Sequence, residues 1–152
     1  MTIPKPKENF KIGKDVVKLN NRKLGDTFEQ TFCELLSENG FWVHFMSMNR
    51  SGQPADVIAV RNRIPFLIDC KHCSKNRFPL SRIEDNQHLA MSKWKDCGNG
   101  SAWFALRVFN DIYMISYDTC TNLIAQGKKH ISNMDFDVYG FKLDEWMVRY
   151  AD

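Results

Sequence analysis

The sequence contains no run of about 18 apolar residues, the length a helix needs to cross a bilayer, so no membrane-spanning helix is expected. The opening residues, Met1 to Glu8, hold two prolines and two lysines and lack the apolar core of a secretion signal, which predicts a cytoplasmic protein. Glycine (8) and proline (5) are scarce, without a repeating period or low-complexity tract, which excludes collagen-like and linker-like chains. Cysteine is present as an odd set of five, Cys33, Cys70, Cys73, Cys97 and Cys120. An odd count without a secretion signal argues against a disulfide framework and for reduced, mostly buried thiols. What is there is ordinary: 152 residues, 43% hydrophobic and 26% charged. That is enough chain for one self-sufficient core and too apolar for a disordered protein.

The charge is unevenly spread. Residues 1–23 carry seven Lys/Arg against Glu8 and Asp15, a charge of +5, whereas the whole chain carries +3 and the rest therefore −2. A basic arm (1–23) before a slightly acidic domain (24–152) favours a polyanionic partner, most often nucleic acid; the competing reading is a solubilising tail. Beyond the arm, Leu24, Phe28, Phe32, Leu35 and Leu36 have helical spacing and Gly40 is placed to end that helix. Residues 41–46, 57–60 and 64–71 read as strands, the last apolar on both faces and so central in a sheet. His72 to Arg77 reads as a loop. Ser81 and Glu84 form a capping-box pattern opening a helix that runs to Asp96. Residues 102–109 and 113–117 read as two more strands with Asn110-Asp111 turning between them. Residues 143–150 fit a short helix or an edge strand. The order predicts an α/β fold with one central mixed sheet flanked by helices.

Chemistry concentrates at Pro54-Ala55-Asp56 and, thirteen residues on, Asp69-Cys70-Lys71. Alternation puts Asp69 and Lys71 on one strand face and Cys70 on the other. Hairpin pairing through Arg61-Asn62-Arg63 brings Asp56 opposite Asp69. Two carboxylates converging at a buried strand end suit Mg²⁺, which takes oxygen ligands; the plainer alternative is an Asp69–Lys71 salt bridge. On the first helix Glu34 and Glu38 point away from the apolar stripe, and only Glu29, at its edge, reaches toward the sheet. Glu29 either joins the acids or is a rim glutamate in water. Gln87 is the polar misfit on the apolar face of the second helix. It either caps a buried backbone group or reaches the metal shell or a phosphate.

Together these residues resemble the PD-(D/E)xK nuclease superfamily and, within it, the Holliday junction resolvases. Arg22-Lys23-Leu24-Gly25 followed by Glu29 is similar to the helix start of archaeal-type resolvases. Ser51-Gly52-Gln53-Pro54-Ala55-Asp56-Val57-Ile58-Ala59 resembles their motif around the first aspartate. Asp69-Cys70-Lys71 takes the place of the acid-x-Lys, with Asp where Glu is commoner. Phe78-Pro79-Leu80 followed by Gln87 looks like a segment of the RecU-type enzymes. The RecU type also carries a stalk before its first aspartate, and here only residues 41–55 fill that interval.

The resemblance implies a restriction-endonuclease-like fold and a Mg²⁺-dependent endonuclease acting on four-way DNA junctions, with Mn²⁺ able to substitute. It implies that Asp56, Asp69 and the Cys70 carbonyl bind the metal, that Glu29 completes the acidic cluster directly or through water, and that Lys71 orients and activates the attacking water. Gln87 then supports the metal or water shell. Cutting both strands of a junction implies a C₂ homodimer. Neither a membrane nor a small-molecule cofactor is expected.

The basic residues Lys14, Lys18, Arg22 and Lys23 of the arm, Arg50 and Ser51 of the polar loop, and Lys75 and Arg77 beside the acids are the expected DNA contacts. Arg61 and Arg63 are a further basic group. Phe10 is the one aromatic placed to stack on a base, and Trp42, Trp94, Trp103 and most phenylalanines are expected in the core. The Cys70-x-x-Cys73 spacing invites a zinc reading, but no second ligand pair accompanies it. Two other readings stand beside the resolvase: a restriction-like, nicking or flap nuclease of the same fold, and a DNA-binding module without catalysis.

Overall fold

The computed structural model describes residues 24–46 and 54–150. Helix α1 (Leu24–Glu38) buries Phe28, Phe32, Leu35 and Leu36 and leaves Glu34 and Glu38 in water, as its spacing predicts. Gly40 ends it with a φ of 87°. The Phe41 N–H reaches back to the Leu36 carbonyl (3.1 Å) and the Gly40 N–H to that of Ser37 (3.2 Å), a Schellman motif. This turn drops Phe41 into the core beside Leu36 and starts β1 (Trp42–Phe45).

The strands β2 (Val57–Arg61), β3 (Ile64–Cys73), β5 (Trp103–Val108), β6 (Asp111–Ser116) and β8 (Phe141–Lys142) complete a six-stranded sheet of order β1-β2-β3-β5-β6-β8. All neighbours are antiparallel except β3 and β5, which run parallel and are connected through helix α2 (Asp85–Asp96). The central position expected for β3 is what its two apolar faces require. Phe66, Ile68 and Cys70 face one core with α1 and helix α5 (Leu143–Tyr150); Leu67 and Cys73 face a second core with α2 and helix α3 (Tyr117–Ala125). The mixed sheet between helices is the fold class the sequence predicts.

Several local expectations are corrected. The segment 72–77 is not all loop: β3 continues to Cys73, and β4 (Arg77–Pro79) pairs with β7 (His130–Ser132) in a second, two-stranded sheet. Short α4 (Phe136–Tyr139) follows β7. Ser81 does not cap α2. The Leu80 N–H is bound to the Lys129 carbonyl (2.9 Å), which draws residues 80–82 into a 3₁₀ turn and passes the cap to Glu84. The β5–β6 turn is Phe109-Asn110, because Val108 pairs with Asp111, and Tyr117 opens α3 instead of closing β6. Residues 143–150 form a helix whose Leu143, Trp146 and Met147 enter the first core. Trp42 is 62% exposed rather than buried, since β1 is an edge strand, and it stacks on His44. No helix among the described residues is long and apolar enough to cross a membrane.

Candidate active site

The β2–β3 ladder builds the site. Val57 pairs with Ile68, and the Asp56 N–H donates to the Ile68 carbonyl (3.1 Å), so Asp56 enters β2 directly opposite Asp69. One oxygen of Asp56, Oδ2, accepts the Cys70 backbone N–H at 2.8 Å. Two residues beyond Asp69, on the same face, Lys71 Nζ lies 3.0 Å from Asp69 Oδ2. Pairing of the two aspartates follows from hairpin register alone, and the Asp69–Lys71 contact from strand alternation.

The environment is unusual for three charges. Asp69 is 3% exposed, and its Oδ2 is sealed from solvent with the Lys71 ammonium, 3.0 Å away, as its ion-pair partner. Burial pushes the Asp69 carboxyl up to about 7; Lys71 pulls it down and the facing Asp56 adds to the rise. Asp56 is raised as well, by burial first, against the Cys70 N–H that stabilises its charged form, with Glu29 contributing repulsion. A buried carboxylate facing a second, half-buried one across a strand pair is a hard-oxygen site that a divalent cation fits.

Glu29 sits half-buried on α1, near enough for its charge to raise Asp56, Cys33 and Cys70. Among the described residues no three His, Cys, Asp or Glu side chains converge to hold a metal between them. Glu29 borders the Asp56–Asp69 pair, and its charge acts on Asp56.

The Cys70 side chain is buried in the first core on the far face, as alternation requires, while its backbone faces Asp56. Burial raises the thiols of Cys70 and Cys73, the latter to about 11. Since Cys70 enters one core and Cys73 the other, the two sulfurs leave the sheet on opposite sides and do not share a metal. Gln87 is buried at the start of α2, where its Oε1 accepts the Glu84 N–H at 3.1 Å. The backbone-capping role is thus the one its geometry displays.

At the C-terminal end of β3 a cavity of about 330 Å³ is lined by His72, Ser74, Lys75, Arg77 and Arg82 among others. The two expected DNA contacts in this region, Lys75 and Arg77, thus share one basic recess. Arg82 was not legible in the sequence. The 3₁₀ turn carries it back so that Nη1 donates to the His72 carbonyl (2.8 Å), a contact no local spacing announces. Arg61 and Arg63 do not join this recess. They lie at the opposite end of the hairpin, about 17 Å up the ladder from Asp69, and Arg61 stands over the Phe41 ring. Lys14, Lys18, Arg22, Lys23, Arg50 and Ser51, like Phe10, lie outside the described residues.

A six-stranded mixed sheet carrying an acid pair and a lysine at one strand end defines the class, the Holliday junction resolvase-like branch of the PD-(D/E)xK fold. The structure of Hjc from the archaeal hyperthermophile Archaeoglobus fulgidus, a Holliday junction resolvase, is similar in fold: TM-score 0.59 and 18% identity over 78% of this chain and 94% of that one. The family model for Recombination protein U, RecU, matches residues 44–151, and the chain belongs to that family. No curated protein sequence matches the chain. The family match takes in Asp56, Asp69, Lys71 and Gln87 and begins after Glu29.

Proposed function

We propose that this protein is a divalent-metal-dependent DNA endonuclease that resolves four-way junctions. The observation that carries the reading is the facing pair of half-buried Asp56 and buried Asp69, with Lys71 Nζ 3.0 Å from Asp69 Oδ2. Membership of the RecU family and the fold shared with Hjc support it.

Asp56, Asp69 and the Cys70 carbonyl would hold the cation, Mg²⁺ by preference and Mn²⁺ in its place. When bound it lowers the pKa of water and offsets charge on the phosphate. Asp56 is already aligned by the Cys70 N–H, and ionisation of the raised Asp69 prepares the site to receive a cation. Lys71, fixed by Asp69, orients the attacking water and donates to the charge that builds on the phosphate oxygens. Water attacks phosphorus in line, the 3′ oxygen departs, and a 5′-phosphate remains. Glu29 acts on the pair through its charge or a shared water. Gln87 keeps the start of α2 rigid through its bond to the Glu84 N–H.

Lys75 and Arg77 contact the DNA backbone, with Arg50, Ser51, Lys14, Lys18, Arg22 and Lys23 extending the path. Recognition is by DNA shape and phosphates, not by a base code. Two symmetric cuts call for a C₂ homodimer. The setting is recombination, in a cell's cytoplasm or in phage DNA processing.

The test uses a synthetic four-way junction, a linear duplex and a flap of matched sequence, each with and without Mg²⁺, beside Asp69→Asn. Paired symmetric nicks on the junction alone, lost in the variant and without metal, are expected. Equal cutting of all three would leave a nuclease of this fold without junction preference. Tight binding without cleavage in Mg²⁺ or Mn²⁺ would make it a binding module.

A further inference from the structure

The β5–β6 turn is built from the wrong residue for its backbone. Phe109 takes a φ of 55° while its ring is 64% exposed. A bulky residue at positive φ is strained, and glycine or asparagine would normally stand there. Register does not force the choice. Phe104, Leu106 and Val108 face one core and Trp103 and Ala105 the other, and a glycine at position 109 would preserve that alternation.

The strained turn is also braced. Arg107 is 7% exposed, its Nε donates to the Phe109 carbonyl at 3.1 Å, and its Nη1 is buried without a hydrogen-bond partner. A buried cation spent on one turn carbonyl holds the turn backbone that carries the aromatic ring.

The turn lies at the end of the sheet where β3 runs from Lys71 to Cys73. β3 and β5 are parallel, with Lys71 opposite Leu106 and Cys73 opposite Val108. Phe109 is three residues past Leu106, about 10 Å along the strand, or about three stacked base steps. His72, which lines the basic cavity, is the register partner of Arg107. On the other flank Asp111 opens β6, so phosphates are drawn from the β3 side.

We infer that Phe109 is a stacking platform for a base left unstacked at a DNA branch point, with the cavity of Lys75, Arg77 and Arg82 taking the flanking phosphate. This rests on the endonuclease reading and adds the element that tells branched from linear DNA. In a duplex both faces of every base are covered; at a branch one face is free, and an aromatic ring binds it without reading its identity.

The test compares the full-length protein with Phe109→Gly and Phe109→Trp, binding a four-way junction and a matched linear duplex in chelator. Glycine suits the backbone, so Phe109→Gly melts at or above the wild-type temperature. Its junction affinity falls about tenfold while duplex affinity changes less than about twofold. Phe109→Trp keeps junction affinity and adds an indole emission that the junction quenches and the duplex does not. Wild-type junction affinity in Phe109→Gly, an equal loss on both DNAs, or a loss of self-association alone overturns the inference. If the wild type prefers and cuts junctions while Phe109→Gly binds them equally well, only the stacking role fails. If the wild type binds no DNA, both readings fail.

Discussion

Asp69 links the fold to the proposed chemistry through one proton. Its carboxyl sits at about 7 in the folded protein, chiefly because it is buried, against an ordinary value of about 3.9 in the unfolded chain. Between these values the folded protein keeps a proton that the unfolded chain has released. Stability therefore falls as pH rises from about 4 to about 7, and this contribution levels off above. Unfolding midpoints measured in chelator across pH 4 to 8 should decline for the wild type, and Asp69→Asn should flatten the slope. A wild-type midpoint rising through that window would place the proton elsewhere. Mg²⁺, which binds the charged form, should also shrink the slope. Lys71 answers a different question at the same scale. Lys71→Met keeps the volume and removes the donor, so junction cleavage should slow by about 10²–10³-fold with junction affinity nearly unchanged. Parallel loss of affinity would make Lys71 a binding residue only.

At the scale of elements, the sheet depends on two close fits. A Cβ added at Gly140 would lie 2.6 Å from Ile115 Cγ1 and 2.7 Å from the Met114 carbonyl oxygen, at the point where α4 hands over to β8. The backbone oxygen cannot turn aside, so Gly140→Ala should destabilise the fold by about 1–3 kcal/mol, read from denaturant midpoints, without altering the acid pair. Trp146 is fully buried, stacked on Phe41 and edge-on to Phe66 and Trp103, so Trp146→Ala should cost about 3–5 kcal/mol. The same elements show what a sequence displays. Helix α1 was legible because its apolar stripe and Gly40 are local signals, and β3 because an apolar run on both faces has few other homes. The pairing of Asp56 with Asp69 was legible because one tight hairpin sets it. Three-residue β4 was not, since it exists only by pairing with β7 some fifty residues away. Helix α5 was ambiguous at eight residues, although Leu143, Trp146 and Met147 have the i, i+3, i+4 spacing of a buried helical face. Arg82 and Phe109 were hidden for a related reason: a backbone contact brings one to His72, and a one-residue shift of the turn exposes the other.

Across the whole molecule, the proposed reading gives most of the long-range attraction to DNA and the cutting of DNA to different parts of the chain. The acid pair and Lys71 lie between residues 56 and 71, whereas residues 1–23 carry a charge of +5 on a protein whose remainder carries −2. Backbone binding to duplex DNA weakens with salt at about 0.9 log units per neutralised phosphate. Seven cationic side chains in the arm set an upper limit of about 6 on the slope it contributes. Removing residues 1–23 should therefore lower the slope of log affinity against log salt by several units and weaken binding most at low salt. The same removal leaves Asp56, Asp69 and Lys71 in place, so single-turnover cleavage at saturating protein should stay within a few fold. Titrating both proteins with junction DNA from 50 to 200 mM salt, and timing cleavage at saturation, separates the two effects. An unchanged slope would mean that the arm serves solubility and that the basic recess of Lys75, Arg77 and Arg82 carries the electrostatic load. A collapse of saturated cleavage with an unchanged slope would tie residues 1–23 to the chemistry, most directly through Glu29, since they immediately precede its helix.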